Sequence, residues 1–200
     1  MKNKNFASIL IFIIFLFASF ATFYFFVKKY QPLELKNNND IADDFSFVEK
    51  NDCVSKIEER VVRGNSLSGL IEPSTSVKIL FGFYDCNKIR RGDIVAYNYA
   101  GNPEPIIKIV KGVEGDKFQL KKTSSSWNIS INDKIVENSE GEPYVLNERG
   151  YKMLSLYERD YGGVIPLNAY LILGNAANGT LDSSVFGLID KSDILGKVKL

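Results

Sequence analysis

Apolar residues are distributed very unevenly along this chain. The run 6–27 carries no charge, and nearly all of its residues are apolar. As a helix rising about 1.5 Å per residue it reaches ~33 Å, enough to cross a bilayer core of roughly 30 Å. A cleaved signal peptide is the alternative, but its apolar core holds only about 7–15 residues. The pattern therefore favours a retained transmembrane anchor.

After the anchor, short apolar or β-branched runs alternate with turn residues, which is typical of strands. The sequence predicts three parts: a tail and anchor at 1–29, a polar linker at 30–44, and one mostly β domain at 45–200. Asn132 and Asp133 predict a tight hairpin, and the segment 152–160 fits either a short helix or a strand. The predicted strands are 76–81, 93–99, 106–110, 117–121, 127–131, 134–136, 170–173 and 194–198.

Composition restricts the chemistry because the chain contains no histidine. This excludes a Ser-His-Asp triad, a Cys-His pair and the HExxH zinc proteases. The two cysteines are too few for a four-thiolate structural zinc site. A hydrolase of this composition needs a lysine or a carboxylate as its base. The net charge of +1 argues against a general nucleic-acid binder.

Several short segments stand out by their residue types and their order along the chain. A serine follows a glycine in a turn-prone setting, a lysine lies among β-branched residues, and glycine-rich and acidic segments follow. These segments are VRGNSL at 62–67, RGDIV at 91–95, IIKIV at 106–110, GVEGD at 112–116, GNAANGTLDSSVFG at 174–187 and ILGK at 194–197.

In order and spacing the segments resemble those of the type I signal peptidases, Ser-Lys proteases that remove leader peptides from exported proteins. The resemblance covers nearly the whole domain and implies a signal-peptidase-like β-rich fold. It assigns Ser66 as the nucleophile and Lys108 as the general base. Thr180 matches the hydroxyl residue that orients the lysine, and Asp182 matches the acidic position after it. At Gly64 the chain resembles the members of the family in which mainly backbone N–H groups bind the oxyanion.

Elementary chemistry agrees with these roles but adds a requirement. A lysine with its ordinary pKa of about 10.4 is charged at pH 7, and burial is what lowers that pKa. Ile107 and Ile109 flank Lys108, but on a strand their side chains point to the opposite face. Desolvation of the amine must therefore come from elsewhere in the fold or from substrate.

The match departs from the family pattern at several positions. Leu67 replaces a methionine, Asn175 replaces the aspartate of a GDN sequence, and Ser184 replaces an arginine, so an ion pair of many relatives is absent. Cys53 and Cys86 are expected to form a disulfide if the domain faces an oxidising compartment, two unpaired thiols being the alternative.

The resemblance implies a membrane-bound serine endopeptidase that needs no cofactor or metal and has no nucleic-acid partner. Its partners would be precursor proteins with leader peptides and the lipid bilayer, with the N-terminus cytoplasmic and the catalytic domain outside. A specialised pilin or conjugation-protein maturation peptidase is a narrower alternative, and a non-catalytic membrane-tethered binding domain is another. A self-cleaving repressor would need a DNA-binding region where this chain has its apolar run. The sequence leaves the oligomeric state open.

Overall fold

The computed structural model describes residues 52–99 and 104–200, which form a mostly β fold as predicted. Its helices are α1 (Glu148–Asp160) and α2 (Ser183–Phe186), and Phe83–Asp85 and Lys191–Asp193 form short 3-10 turns. Its strands are β1 (Lys56–Val61), β2 (Ser76–Phe81), β3 (Ile94–Tyr97), β4 (Ile106–Gly112), β5 (Phe118–Lys122), β6 (Trp127–Ile131), β7 (Lys134–Ile135), β8 (Val145–Leu146), β9 (Ala169–Leu173), β10 (Ile189–Asp190) and β11 (Ile194–Lys199).

Seven strands form one antiparallel sheet in the order β1-β2-β11-β3-β4-β9-β10. Besides the outer edge of β10, two free backbone edges arise in it among the described residues. β1 pairs only with β2, and β4 pairs with β3 from Ile106 but meets β9 only from Ile109 onward. The first half of β4 therefore leaves one edge open.

A smaller sheet of β5, β6, β7 and β8 packs its own apolar cluster, which includes Ile129, Leu154 and Leu171. Asn132 and Asp133 connect β6 to β7 with φ angles of 50° and 65°. Positive φ at both positions belongs to the tight turn that matches the twist of paired strands, so the predicted hairpin is confirmed.

Helix α1 resolves the ambiguity of the segment 152–160, which is helical. Its start is set by Asn147, whose side chain accepts a hydrogen bond from Gly150 N at 2.9 Å. This N-cap satisfies one of the backbone donors that the first helical turn leaves unpaired. Leu154 is fully buried on the face toward the smaller sheet.

The predicted strands all occur, with ends within two residues of the prediction. β1 was not predicted, because its sequence KIEERV carries charges where a half-buried strand usually alternates with apolar residues. Ile57 is 60% exposed on this edge strand. Charged edge strands are a common way to prevent unwanted strand pairing.

Cys53 and Cys86 form a disulfide, as expected. The bond joins the chain just before β1 to the residue that follows the 3-10 turn Phe83–Asp85. Phe83 and Tyr84 of that turn are buried in the cluster that packs against one face of the main sheet.

No helix among residues 52–99 and 104–200 has the length and apolarity that a membrane crossing requires. The predicted anchor and linker lie outside the described residues.

Candidate active site

Ser66 and Lys108 lie side by side although 42 positions separate them along the chain. Lys108 Nζ is 2.9 Å from Ser66 Oγ and donates a second hydrogen bond, also of 2.9 Å, to Ile107 O. The first distance is within reach of direct proton transfer between a hydroxyl and an amine.

The loop between β1 and β2 carries Ser66 and is fixed by apolar packing beneath it. Leu67, which follows the serine, is 1% exposed and packs with Ile71 in a cluster formed on the main sheet. Ile71 N donates to Leu67 O at 2.7 Å, closing a helical turn after the serine. Leu67 thus supplies the packing at the position where the family pattern has methionine.

Lys108 is only 3% exposed, on the open-edged half of β4 opposite Val95. Burial lowers the pKa of its ammonium group to about 8, and the negative charge of Asp182 acts in the opposite direction. Desolvation disfavours the charged form of an amine, so burial dominates here. The fold supplies the apolar surroundings that the strand neighbours of Lys108 do not.

Asp182 is fully buried and is surrounded by neutral donors. Its Oδ2 accepts from Gly174 N at 2.9 Å and from Thr180 Oγ1 at 2.7 Å. Its Oδ1 accepts from the backbone N and the hydroxyl of Ser184 at 2.9 and 2.7 Å. Four hydrogen bonds satisfy a buried carboxylate without a cation. Ser184 stands where many relatives have an arginine, and it satisfies the Asp182 carboxylate by hydrogen bonds in place of an ion pair.

Thr180 lies close to the main-chain carbonyl of Ser66, with Gly174 between them. A side chain at Gly174 would collide with both Thr180 Oγ1 and Ser66 O. Only glycine allows these two groups so close together. Gly64 is different, because a Cβ there would meet no atom within 4 Å. Its backbone lines the cleft in front of Ser66.

A cleft of about 340 Å³ opens onto the dyad between β1 and the first half of β4. Near Ser66 its lining includes the apolar Val62, Leu67 and Ile107 together with the exposed Arg63. Its far end is charged. There Arg60 of β1 donates to Glu104, just before β4, at 2.7 Å.

This ion pair joins two segments that are not neighbours in the sheet. Arg60 also donates to Glu58 Oε2 through Nε and Nη2, at 2.8 and 2.6 Å. Two carboxylates therefore hold the guanidinium at the cleft's outer end. Sequence reasoning missed this feature because β1 itself was not predicted.

Asn175 is a second residue whose role the sequence did not indicate beyond its departure from the family pattern. It follows β9 directly, is 2% exposed, and donates hydrogen bonds to the carbonyl oxygens of Ser66 and Ser68, on both sides of Leu67. In the sequence, only the dipeptide Gly174-Asn175 at the end of a buried strand could have indicated this role, and such a dipeptide is common in turns. Among the described residues, no group of three or more His, Cys, Asp or Glu could hold a metal ion.

Comparisons with known proteins agree with the resemblance found in the sequence. The family profile described as "Signal peptidase, peptidase S26" matches residues 4–200. Signal peptidase IB of Staphylococcus aureus (strain COL) is 27% identical over 150 residues, covering 68% of this chain and 73% of that protein. Signal peptidase I of Bacillus caldolyticus is 28% identical over 141 residues, covering 69% and 75%. A crystal structure of a signal peptidase I from Enterococcus faecalis V583 aligns with a TM-score of 0.35 at 17% identity, covering 56% of this chain and 97% of that chain.

Proposed function

Since this chain belongs to the signal peptidase S26 family, we propose that it is a membrane-bound serine endopeptidase that removes leader peptides from exported precursors. The observation that carries the proposal is the 2.9 Å separation between Ser66 Oγ and the buried Lys108 Nζ. Burial lowers the pKa of that amine to about 8, so a fraction of it is neutral near pH 7, and the distance lets the neutral form take the serine proton.

The reaction proceeds in two proton-balanced halves. Lys108 Nζ accepts the Ser66 hydroxyl proton as Oγ attacks the scissile carbonyl, and backbone N–H groups near Gly64 and Ser66 stabilise the oxyanion. The ammonium then protonates the leaving amine, giving an acyl-enzyme. Water attacks the ester while Lys108 takes its proton, and that proton returns to Ser66 Oγ as the leader acid departs.

Thr180 and Asp182 act on the lysine indirectly in this mechanism. The Thr180 hydroxyl donates to Asp182 Oδ2, which leaves its oxygen lone pairs to accept a hydrogen bond from the ammonium form of Lys108. Asp182 holds Thr180 and Gly174 N together. We assign both as supports that keep Lys108 directed at Ser66.

An extended leader fits the cleft by adding a strand between the open edges of β1 and β4. The apolar walls next to Ser66 suit a small residue immediately before the cleaved bond. The predicted anchor at 6–27 would keep the site near the bilayer, which raises the effective concentration of tethered precursors. In this proposal residues 45–200 lie outside the cytoplasm. The 2.9 Å dyad argues against the non-catalytic binding domain.

A reconstitution experiment tests the proposed activity. The full chain in liposomes is incubated with a precursor whose leader ends in a small residue, and mass spectrometry identifies both products. We expect one cut at the leader junction and no cut by Ser66→Ala. Ser68→Ala is the matched control, since it alters a hydroxyl two residues away, and it should retain cleavage. A wild-type chain that leaves the precursor intact, or an active Ser66→Ala variant, contradicts the proposal.

The charged end of the cleft predicts a substrate preference. Side chains alternate along a strand. We place the leader residue just before the cleaved bond against Val62, so the residue two positions earlier points to the same side and meets Arg60 and Glu104. An aliphatic side chain there would desolvate the ion pair without replacing its hydrogen bonds. We expect glutamine or lysine at this third position before the cut to give about 10-fold higher kcat/KM than valine.

Peptides that differ only at that position measure the preference, and Arg60→Leu should reverse it by making this end of the cleft apolar. Lys78→Leu, a change of an exposed lysine in β2, is the control and should leave the order unchanged. A wild-type preference for valine would show that the ion pair lies outside the path of the leader.

A further inference from the structure

Asn175 uses every polar atom of its side chain in contacts around the nucleophile loop. Its Nδ2 donates to Ser68 O at 2.8 Å and to Ser139 Oγ at 2.7 Å. Its Oδ1 accepts from Ser139 N at 3.0 Å. Its backbone N donates to Ser66 O at 2.6 Å. At 2% exposure, water is not a ready substitute for these partners.

The polarity of these partners is fixed, because two of them are backbone groups. Ser68 O can only accept and Ser139 N can only donate, so the side chain between them must present a donor to one and an acceptor to the other. Asparagine does both, whereas an ionised aspartate only accepts. An aspartate here would place a carboxylate oxygen against a carbonyl oxygen in a buried site.

We propose that Asn175 is a positioning residue for Ser66, and that this chain requires an amide where the family pattern has aspartate. The inference rests on the proposed function, since it concerns the nucleophile of that reaction. Hydrogen bonds to Ser66 O and Ser68 O hold the main chain on both sides of Leu67. They fix the backbone that carries Oγ, while Asn175 itself does not contact Lys108 in any described hydrogen bond.

Asn175 also joins three segments that the chain brings together from distant positions. They are the end of β9, the loop that carries Ser66, and the turn 138–142. The turn is closed by its own bonds, among them Asn138 N to Glu142 O at 2.9 Å. The nucleophile loop is therefore tied to a rigid strand end and to a second loop through one side chain.

Asn175→Asp is the decisive variant because it makes the segment more like the family pattern. We expect it to lower kcat by about 10- to 100-fold at pH 8 with little change in KM, because small displacements of a nucleophile have effects of that size. A protonated carboxyl regains an O–H donor. The ratio of variant to wild-type kcat should therefore rise as the pH falls, while for Asn175→Ala it stays constant.

The acidic groups around this position favour that protonation. Glu140 and Glu72 approach Gly69 from two sides of the loop, and Asp182 binds the adjacent Gly174. Like charges raise the pKa of a carboxyl, as burial does. Lys111, whose Nζ donates to Glu137 O two residues before Ser139, is a cation on this side that acts in the opposite direction. The titration of Lys108 as the base affects variant and wild type alike and cancels in the ratio.

Hydrogen exchange of peptides covering 66–69 and 175 provides a readout that does not depend on proteolysis. Faster exchange there in Asn175→Asp, with an unchanged midpoint in the pH profile of kcat for Asn175→Ala, supports a positioning role. If wild type cuts no precursor, the proposed function fails, while hydrogen exchange still tests whether Asn175 holds the loop that carries Ser66. Unaltered kcat and exchange in Asn175→Asp, or losses equal to those of Asn175→Ala at every pH, overturn the inference.

Should Asn175→Asp not fold, Ser139→Ala provides a second test. It removes one hydrogen-bond acceptor of Asn175 and should lower kcat about 3-fold with unchanged KM, in line with the value of a single hydrogen bond. An unchanged kcat in Ser139→Ala overturns the inference.

Discussion

Lys108→Met is expected to lower kcat for precursor cleavage by about 10³-fold or more, with the fold intact. Methionine fills a similar volume without a basic nitrogen, so Ser66 loses the group that accepts its proton. Removal of a catalytic base from a serine protease has effects of this order or larger. Single-turnover cleavage of a leader precursor measures the chemical step directly.

Lys111→Met is the matched control for this variant. Lys111 lies three residues further along β4, burial also lowers the pKa of its amine, and Nζ donates to Glu137 O at 2.7 Å. It has no contact with Ser66 in the described structure. We expect near-normal cleavage, so a comparable loss in both variants would mean that damage to β4 rather than loss of the base explains the effect.

The pH profile of wild type follows from the same amine. The base must be neutral, and burial lowers the pKa of Lys108 to about 8. Cleavage in the free enzyme should therefore rise tenfold per pH unit below about pH 8 and level off above it. A profile that is flat between pH 6 and pH 9 would assign the base to another group.

The lowered pKa of Lys108 also makes the free energy of unfolding depend on pH. Between about pH 8 and pH 10.5 the unfolded chain binds a proton at Lys108 that the folded chain has lost. The contribution of Lys108 to the free energy of unfolding therefore increases as the pH rises from about 8 to 10.5. Below about pH 8 the burial of Lys108 is most unfavourable. Lys108→Met should be more stable than wild type below pH 8.

Asp182→Ala is expected to lower the free energy of unfolding by about 3–5 kcal/mol, the second large effect. It leaves four donors, from Gly174, Thr180 and Ser184, without the carboxylate that they share in a fully buried site. Unsatisfied buried donors lose about 1–3 kcal/mol each, partly relieved by relaxation. Thermal unfolding should shift down by roughly 10 °C.

Asp190→Ala offers a control with the same local chemistry on the surface. Asp190 accepts from the backbone N and the hydroxyl of Ser192 at 2.8 and 2.7 Å, as Asp182 does from Ser184, but it is exposed. Loss of an exposed cap of this type lowers stability by about 1 kcal/mol. Equal losses in both variants would show that burial of Asp182 adds nothing.

Asp182→Asn separates charge from structure. Asp182 raises the pKa of Lys108 by its negative charge, so a neutral amide should move the midpoint of the pH profile below that of wild type. A midpoint that moves upward would contradict this electrostatic assignment.

The sequence indicated most strands because their residues are β-branched or apolar and turns separate them. β2 and β6 were predicted with their observed ends for this reason. β1 was missed because alternation was hidden by charges, and β8 and β10 are too short to leave a pattern. Their existence depends on partners that are distant in sequence.

The site was predicted unevenly for a related reason. Ser66 and Lys108 were indicated by segment order, and they lie 2.9 Å apart. What buries the lysine could not be read from its neighbours on β4, since desolvation arises from elements that fold against it. The contacts of Asn175 with Ser68 and Ser139 likewise exist only after three separate segments meet.

The disulfide between Cys53 and Cys86 alters how tension passes through the molecule. β1 is an edge strand held by one neighbour, so a pull from the preceding chain would peel it from β2 first. With the covalent link in place, force applied before Cys53 enters the sheet beyond β2 and bypasses everything between the two cysteines. The strand that borders the cleft and the loop that carries Ser66 both lie in that unloaded segment.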